Sequence, residues 1–161
     1  MKRFIFIFVV IIIFLFAQIF LSTQFYFLKS KPDILLLLVI FFTIYFGLIE
    51  GIFCAMAAGV LKDAFSLNTI GMNLLIFICL ALIIAYLKKL IYRETIFMIF
   101  ITTLLVNLLS GLLVYFINFF DKGITLEAVL LFVILPEVIL TAFLSPPVFF
   151  CLKKCALKFS M

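Results

Sequence analysis

The chain has 161 residues, 70% of them hydrophobic and only 12% charged, with a net charge of +5. A soluble globular domain carries roughly 45–50% apolar and 25% charged residues, and disorder requires low hydrophobicity, so both classes are excluded. At about 20 apolar residues per spanning helix, the composition predicts five or six membrane spans and little else.

The basic residues sit in short clusters between apolar runs. That arrangement fits membrane orientation and not a phosphate-binding face, so the expected partner is the lipid bilayer and not nucleic acid. The chain has no histidine. Imidazole metal sites, His-activated nucleophiles and histidine pH switches are therefore absent. Of the four cysteines, Cys54 and Cys79 lie inside apolar runs and read as small core residues. Cys151 and Cys155 stand four apart near the basic C-terminus, with palmitoylation as the less favoured reading. No metal site and no cofactor is expected.

The first apolar run follows Met1-Lys2-Arg3 and continues to Leu21. It is too long for the core of a signal peptide and no small-x-small cleavage site follows, so it is predicted to stay as a first span over 4–24.

The next run, 34–61, admits two readings. One helix of that length would measure roughly 42 Å against a hydrocarbon core of about 30 Å, and would place Glu50 at depth. A hairpin breaking at Gly47–Gly51 brings Glu50 to the interface and is preferred, giving spans 33–48 and 50–65. Further spans are expected at 72–87, 95–119 and 126–150.

Charge supports the hairpin. With six spans and both termini cytoplasmic, Lys2, Arg3, Lys88, Lys89, Arg93, Lys153, Lys154 and Lys158 fall inside, against Lys29, Lys31, Lys62 and Lys122 outside. Five spans with the same start invert that balance, against the positive-inside rule. The five tyrosines, Tyr26, Tyr45, Tyr86, Tyr92 and Tyr115, fall near predicted span ends, as interfacial anchors would. The predicted fold is an all-α integral membrane protein, one domain of six helices joined by short loops.

Polar residues within such a bundle are the informative positions. Lys31-Pro32-Asp33 reads as a turn and helix start, with Pro32 suited to the first turn and Asp33 to local capping. In the third span Gly51, Ala55, Gly59 and Asp63 recur every fourth residue, a stripe that lets helix backbones approach. Asp63 either ends this packing seam or holds the following segment, 66–71, or a partner chain. Gly71 lets that segment turn into the next helix.

In the fifth span Thr103, Asn107, Ser110 and Gly111 share a face, with Asn118 further on. The face should point into the bundle, where Asn107 is expected to bond to another helix. In the last span Pro136 is expected to free a carbonyl and kink the helix. Glu137 is placed near the middle of 126–150, facing the interior, with Thr141 and Ser145 at four-residue steps. No Lys or Arg is expected at its depth, so its donor would be Asn107, Thr103 or a hydroxyl.

No catalytic constellation emerges. Glu50 and Asp63 stand at opposite ends of one helix, about 20 Å apart, and share no site.

Pro32-Asp33 before an apolar helix, then Gly51…Gly59-Val-Leu-Lys-Asp63, then Ile70-Gly71 opening another helix, resembles the rod shape-determining protein MreD family. The Pro136 helix ending in Pro146-Pro147 and a basic tail fits the same pattern. By position, Pro32, Asp33, Gly59, Asp63 and Gly71 match it, whereas Glu137 is singled out on physical grounds only. The resemblance implies a non-enzymatic component of the bacterial inner membrane, serving cell elongation and peptidoglycan synthesis. Its implied partners are an MreC-like bitopic protein and, through it, actin-like MreB filaments and RodA with a penicillin-binding transpeptidase.

The family is also similar in fold to the substrate-binding S-components of vitamin transporters. That supplies the alternative: a small-solute binding subunit, with Asn107, Glu137 and Asp63 lining a pocket and Ala55, Ala57, Ala58 and Gly59 facing a coupling subunit. A membrane enzyme acting on lipid is a third, more distant reading.

Overall fold

A computed structural model describes residues 2–24, 32–65, 71–88, 96–122 and 134–159. Among them are six helices and no strand. They are α1 (Lys2–Gln24), α2 (Ile34–Tyr45), α3 (Leu48–Phe65), α4 (Met72–Lys88), α5 (Ile96–Lys122) and α6 (Leu135–Phe159).

Helix α2 is the axis of the bundle. Its sequence is apolar on every side, and a helix of that kind must be covered all round. Every residue from Ile34 to Thr43 is buried. Helices α1, α3, α4, α5 and α6 all pack against it. Facing rings lock its far end, with Phe41 against Phe149 of α6 at 5.4 Å and Tyr45 against Phe149 at 6.4 Å.

The expected hairpin between α2 and α3 forms. Gly47 takes a left-handed φ of +115°, which a side chain would resist. Its N–H donates to the Phe42 carbonyl, and its own carbonyl accepts from Gly51 N–H. Glu50 lies in the first turn of α3, away from the middle of a span.

The small-residue stripe of α3 serves two neighbours in turn. A Cβ on Gly51 would come within 2.9 Å of Thr43 Cα on α2. A Cβ on Gly59 would come within 2.6 Å of Leu74 Cα on α4. Ala55 and Ala58 between them are fully buried. The stripe is consumed inside the bundle, so it offers no free surface to a coupling subunit.

Helices α5 and α6 pair with each other beside this core. Thr103, Asn107 and Ser110 are buried, as their shared face predicts. A Cβ on Gly111 would meet the side chain of Ile134 at 2.8 Å. The side chain of Asn118 lies outside the described residues.

Several expectations need correction. Helix α6, described over Leu135–Phe159, runs well past 150; residues 126–133 lie outside the described residues. Pro136 and Glu137 stand in the first turn of the helix as described. Pro146 and Pro147 lie inside the helix instead of ending it. Pro146 has no N–H for the Ala142 carbonyl, and Ser145 Oγ donates to that carbonyl at 2.8 Å in its place.

Tyr115 is buried against Ile134 and Val138 and is not an interfacial anchor; Tyr26 and Tyr92 lie outside the described residues. Cys79 is exposed, because α4 turns Ile76, Phe77, Leu80, Ala81 and Ile84 inward and Cys79 falls on the other face. Cys54 is buried as expected.

Candidate functional site

The polar residues gather where α2 begins. Asp33 caps that helix: its Oδ1 accepts from Leu36 N–H at 3.3 Å. This leaves Oδ2 free to receive the ammonium of Lys62 from the last turn of α3, in a direct ion pair. Asp33 is buried and Lys62 is partly so. Local capping is thus half of the role of Asp33; the other half joins two helices.

Three further helices reach the same point. Asp33 N–H donates to Thr141 Oγ1 of α6 at 3.1 Å, and that hydroxyl donates to the Glu137 carbonyl at 2.7 Å. Gln18 of α1 accepts from Leu35 N–H at 3.2 Å. The Lys62 ammonium lies 5.0 Å from the ring centre of Phe77 on α4. Two of the orphan N–H groups of α2 are thereby satisfied by side chains, one of them from another helix.

Asp63, the next residue along α3, does the same for α4. Its Oδ2 accepts from Gly71 N–H at 3.0 Å and Leu74 N–H at 3.2 Å. Its Oδ1 accepts from Asn73 N–H at 3.1 Å and Asn73 Nδ2 at 2.8 Å. Gly71 turns into the helix with φ +93° and open space around it. Asp63 thus holds Gly71, the last residue of the expected segment 66–71, and beyond that expectation the start of the next helix. Residues 66–70 lie outside the described residues.

Glu137 lies close enough to Asp33 and Lys62 for both charges to act on its carboxyl. That corrects the expectation that no basic residue shares its level.

Asn107 is not part of this cluster. Its Nδ2 donates to the Thr103 carbonyl at 3.1 Å, within α5, and not across helices as expected. Thr103 Oγ1 likewise donates to Ile99 O at 2.7 Å. Pro32 is buried next to Asp33.

Sequence reasoning missed Lys62, Gln18, Thr141 and Phe77 as members of one site. The signal for Lys62 is hairpin symmetry: Asp33 and Lys62 stand nearly equal distances either side of Gly47. No comparable signal marks Gln18 or Phe77.

What this arrangement does chemically is join helices. Among the described residues no group of three or more His, Cys, Asp or Glu side chains is placed to hold a metal ion. Asp33 and Asp63 each turn both carboxyl oxygens on donors from this chain.

Among the described residues the molecule is thus an all-helical bundle whose two buried carboxylates, Asp33 and Asp63, are spent on helix junctions. The profile of the rod shape-determining protein MreD family matches residues 2–155, nearly the whole chain, and the chain belongs to that family. Membership implies a role in rod shape determination. No curated protein and no solved structure matches the chain.

Proposed function

We propose that this chain is a multi-pass, non-enzymatic scaffold subunit of the cell-elongation machinery in the bacterial inner membrane. All six helices belong to one membrane bundle, with both termini cytoplasmic and the Asp33 cluster toward the outer face. It binds an MreC-like bitopic protein and, through it, the peptidoglycan-synthesis enzymes.

Membership of the family over residues 2–155 carries this reading. The outward faces support the membrane part. Two helices are long and apolar enough to cross a bilayer, over Phe97–Phe116 and Leu135–Cys155. The remaining outer helices expose large apolar side chains, such as Phe16, Ile49 and Leu75. Water would penalise these residues and lipid would not.

The filled interior favours a scaffold over a solute-binding subunit. The axis of the bundle is solid with Leu, Ile and Phe, and the polar residues Asp33 and Asp63 are turned on backbone and side-chain donors of the chain itself.

Affinity purification of the tagged chain in mild detergent tests the proposal. Co-purification of a single-span protein with an external coiled coil, or of wall-synthesis enzymes, is the expected result. Recovery of two ATPase subunits with a larger membrane subunit would make it a transporter's substrate-binding component instead.

A further inference from the structure

The helices around α2 do not close their ring. Helix α1 packs on α3, α3 on α4, α4 on α5 and α5 on α6, whereas α6 and α1 make no comparable contact among the described residues. The seam between α6 and α1 is shallow. Every residue of α2 from Ile34 to Thr43 beneath it is buried, so side chains of its neighbours cover that helix on this side too.

One flank of α6 borders this seam. Glu137, Leu140, Leu144 and Val148 recur at helical spacing and form one stripe, and all four are half-buried. Leu144 and Val148 pack on the main core around α2. Ile134 and Val138, on the neighbouring face, pack instead with Tyr115 of α5. Ile139 and Phe143 are exposed on the lipid side. The stripe thus looks away from α5, toward the seam.

Glu137 is the one polar member of that stripe. Thr141 Oγ1 bonds to its backbone carbonyl, and no donor among the described residues bonds to its carboxylate. Lys62 is the cation whose charge acts on it, and Lys62 is already paired with Asp33. One ammonium against two carboxylates leaves a negative charge at this point. A charged group within a membrane bundle calls for a partner of opposite charge. A helix can bring one there with its own backbone bonds satisfied, and a half-buried stripe at helical spacing is the surface on which another helix packs.

We propose that the α6–α1 seam is the docking site for a transmembrane helix of a partner protein, which brings a lysine or arginine to the Glu137 carboxylate. This rests on the membrane scaffold reading above. The long stem of either residue packs along Leu140 and Leu144 while its head pairs with the carboxylate.

Photocrosslinking of the full chain tests it. Benzoylphenylalanine is placed at Leu140 or Leu144 on the seam, or at Phe143 on the lipid side, with Glu137 intact. Native membranes are irradiated and the adducts are identified by mass spectrometry. The expected adduct at Leu140 and Leu144 is one membrane-spanning helix of another protein. That helix carries a lysine or arginine within about one turn of the residue joined to Leu140. Phe143 is expected to give no such adduct. Glu137→Gln should lower the yield about tenfold or more, because the incoming charge loses its counter-ion. Replacing that lysine or arginine by methionine should have a similar effect, and the two changes together should cost no more than either.

An adduct to a second copy of this chain, or to lipid alone, overturns the docking site. So does an adduct whose yield is unchanged in Glu137→Gln, or a helix with no basic residue near the joined position. The scaffold reading fails separately, by recovery of transporter subunits in the detergent purification above. Recovery of wall-synthesis partners without any seam adduct leaves that reading standing and removes the docking site. The first crosslinks keep Glu137, so the test stays decisive if Glu137→Gln fails to fold.

Discussion

Asp33 and Lys62, 29 residues apart in sequence, form an ion pair that fastens the start of α2 to the end of α3. The pair is asymmetric, because the carboxylate is buried and the ammonium is partly exposed. Breaking a buried pair from the exposed side leaves an uncompensated charge within, which costs about 3–5 kcal/mol. Lys62→Met is therefore expected to destabilise the protein strongly. Asp33→Asn together with Lys62→Met is expected to recover most of the loss, since asparagine keeps the cap to Leu36 N–H without the charge. Thermal unfolding in detergent, followed by fluorescence-detected size exclusion, measures both. A double variant as unstable as the single one would mean that the charge of Asp33 is not what Lys62 answers.

Thr141 links α6 to the same point. Thr141→Val keeps the shape but leaves Asp33 N–H without its acceptor, at a cost of about 1–3 kcal/mol. The loss should appear locally, as faster amide exchange at the start of α2. Uniformly faster exchange across the whole chain would argue for a general packing defect.

How far the sequence reveals this site follows from how local each interaction is. The Asp33 cap, the Gly47 turn and the Gly71 turn are decided within a few residues, and the residues at those positions announce them. Lys62 reads as one more positive charge until the hairpin is folded about Gly47. Pro146 and Pro147 read as a stop because a proline withholds the N–H that a helix needs, yet the helix runs on through them. The sequence carries their compensation in Ser145, but only the fold shows that its hydroxyl meets the Ala142 carbonyl.

Asp63 gathers three backbone N–H groups at the start of α4. Asp63→Ala removes them together with the Asn73 side-chain bond, and exceeds the usual cap loss of about 1 kcal/mol. Asp63→Asn retains an acceptor and should cost less. Hydrogen exchange at Gly71, Asn73 and Leu74 reports the difference directly. Unchanged protection of those three amides in Asp63→Ala would show that another group satisfies them.

The glycines should rank by what a side chain would strike. Gly59 faces the backbone of Leu74 on a neighbouring helix, and backbone cannot step aside. Gly59→Ala forces α3 and α4 apart, with a loss in the range of about 1–3 kcal/mol for overpacking, and Gly59→Leu more. Gly111 faces the side chain of Ile134 and not backbone, so Gly111→Ala costs less. Gly71 has open space around it, and Gly71→Ala pays only for its left-handed φ, about 1 kcal/mol. Melting temperatures of the three alanine variants, measured side by side, are expected to fall most for Gly59. If Gly59→Ala melts with the wild type, α3 and α4 do not meet backbone to backbone at that point. Partner recovery from Gly59→Leu then separates packing from docking. Because the stripe lies inside the bundle, a partner should be lost only in step with folding, and loss of the partner from a fully stable Gly59→Leu protein would place the stripe on an outer surface.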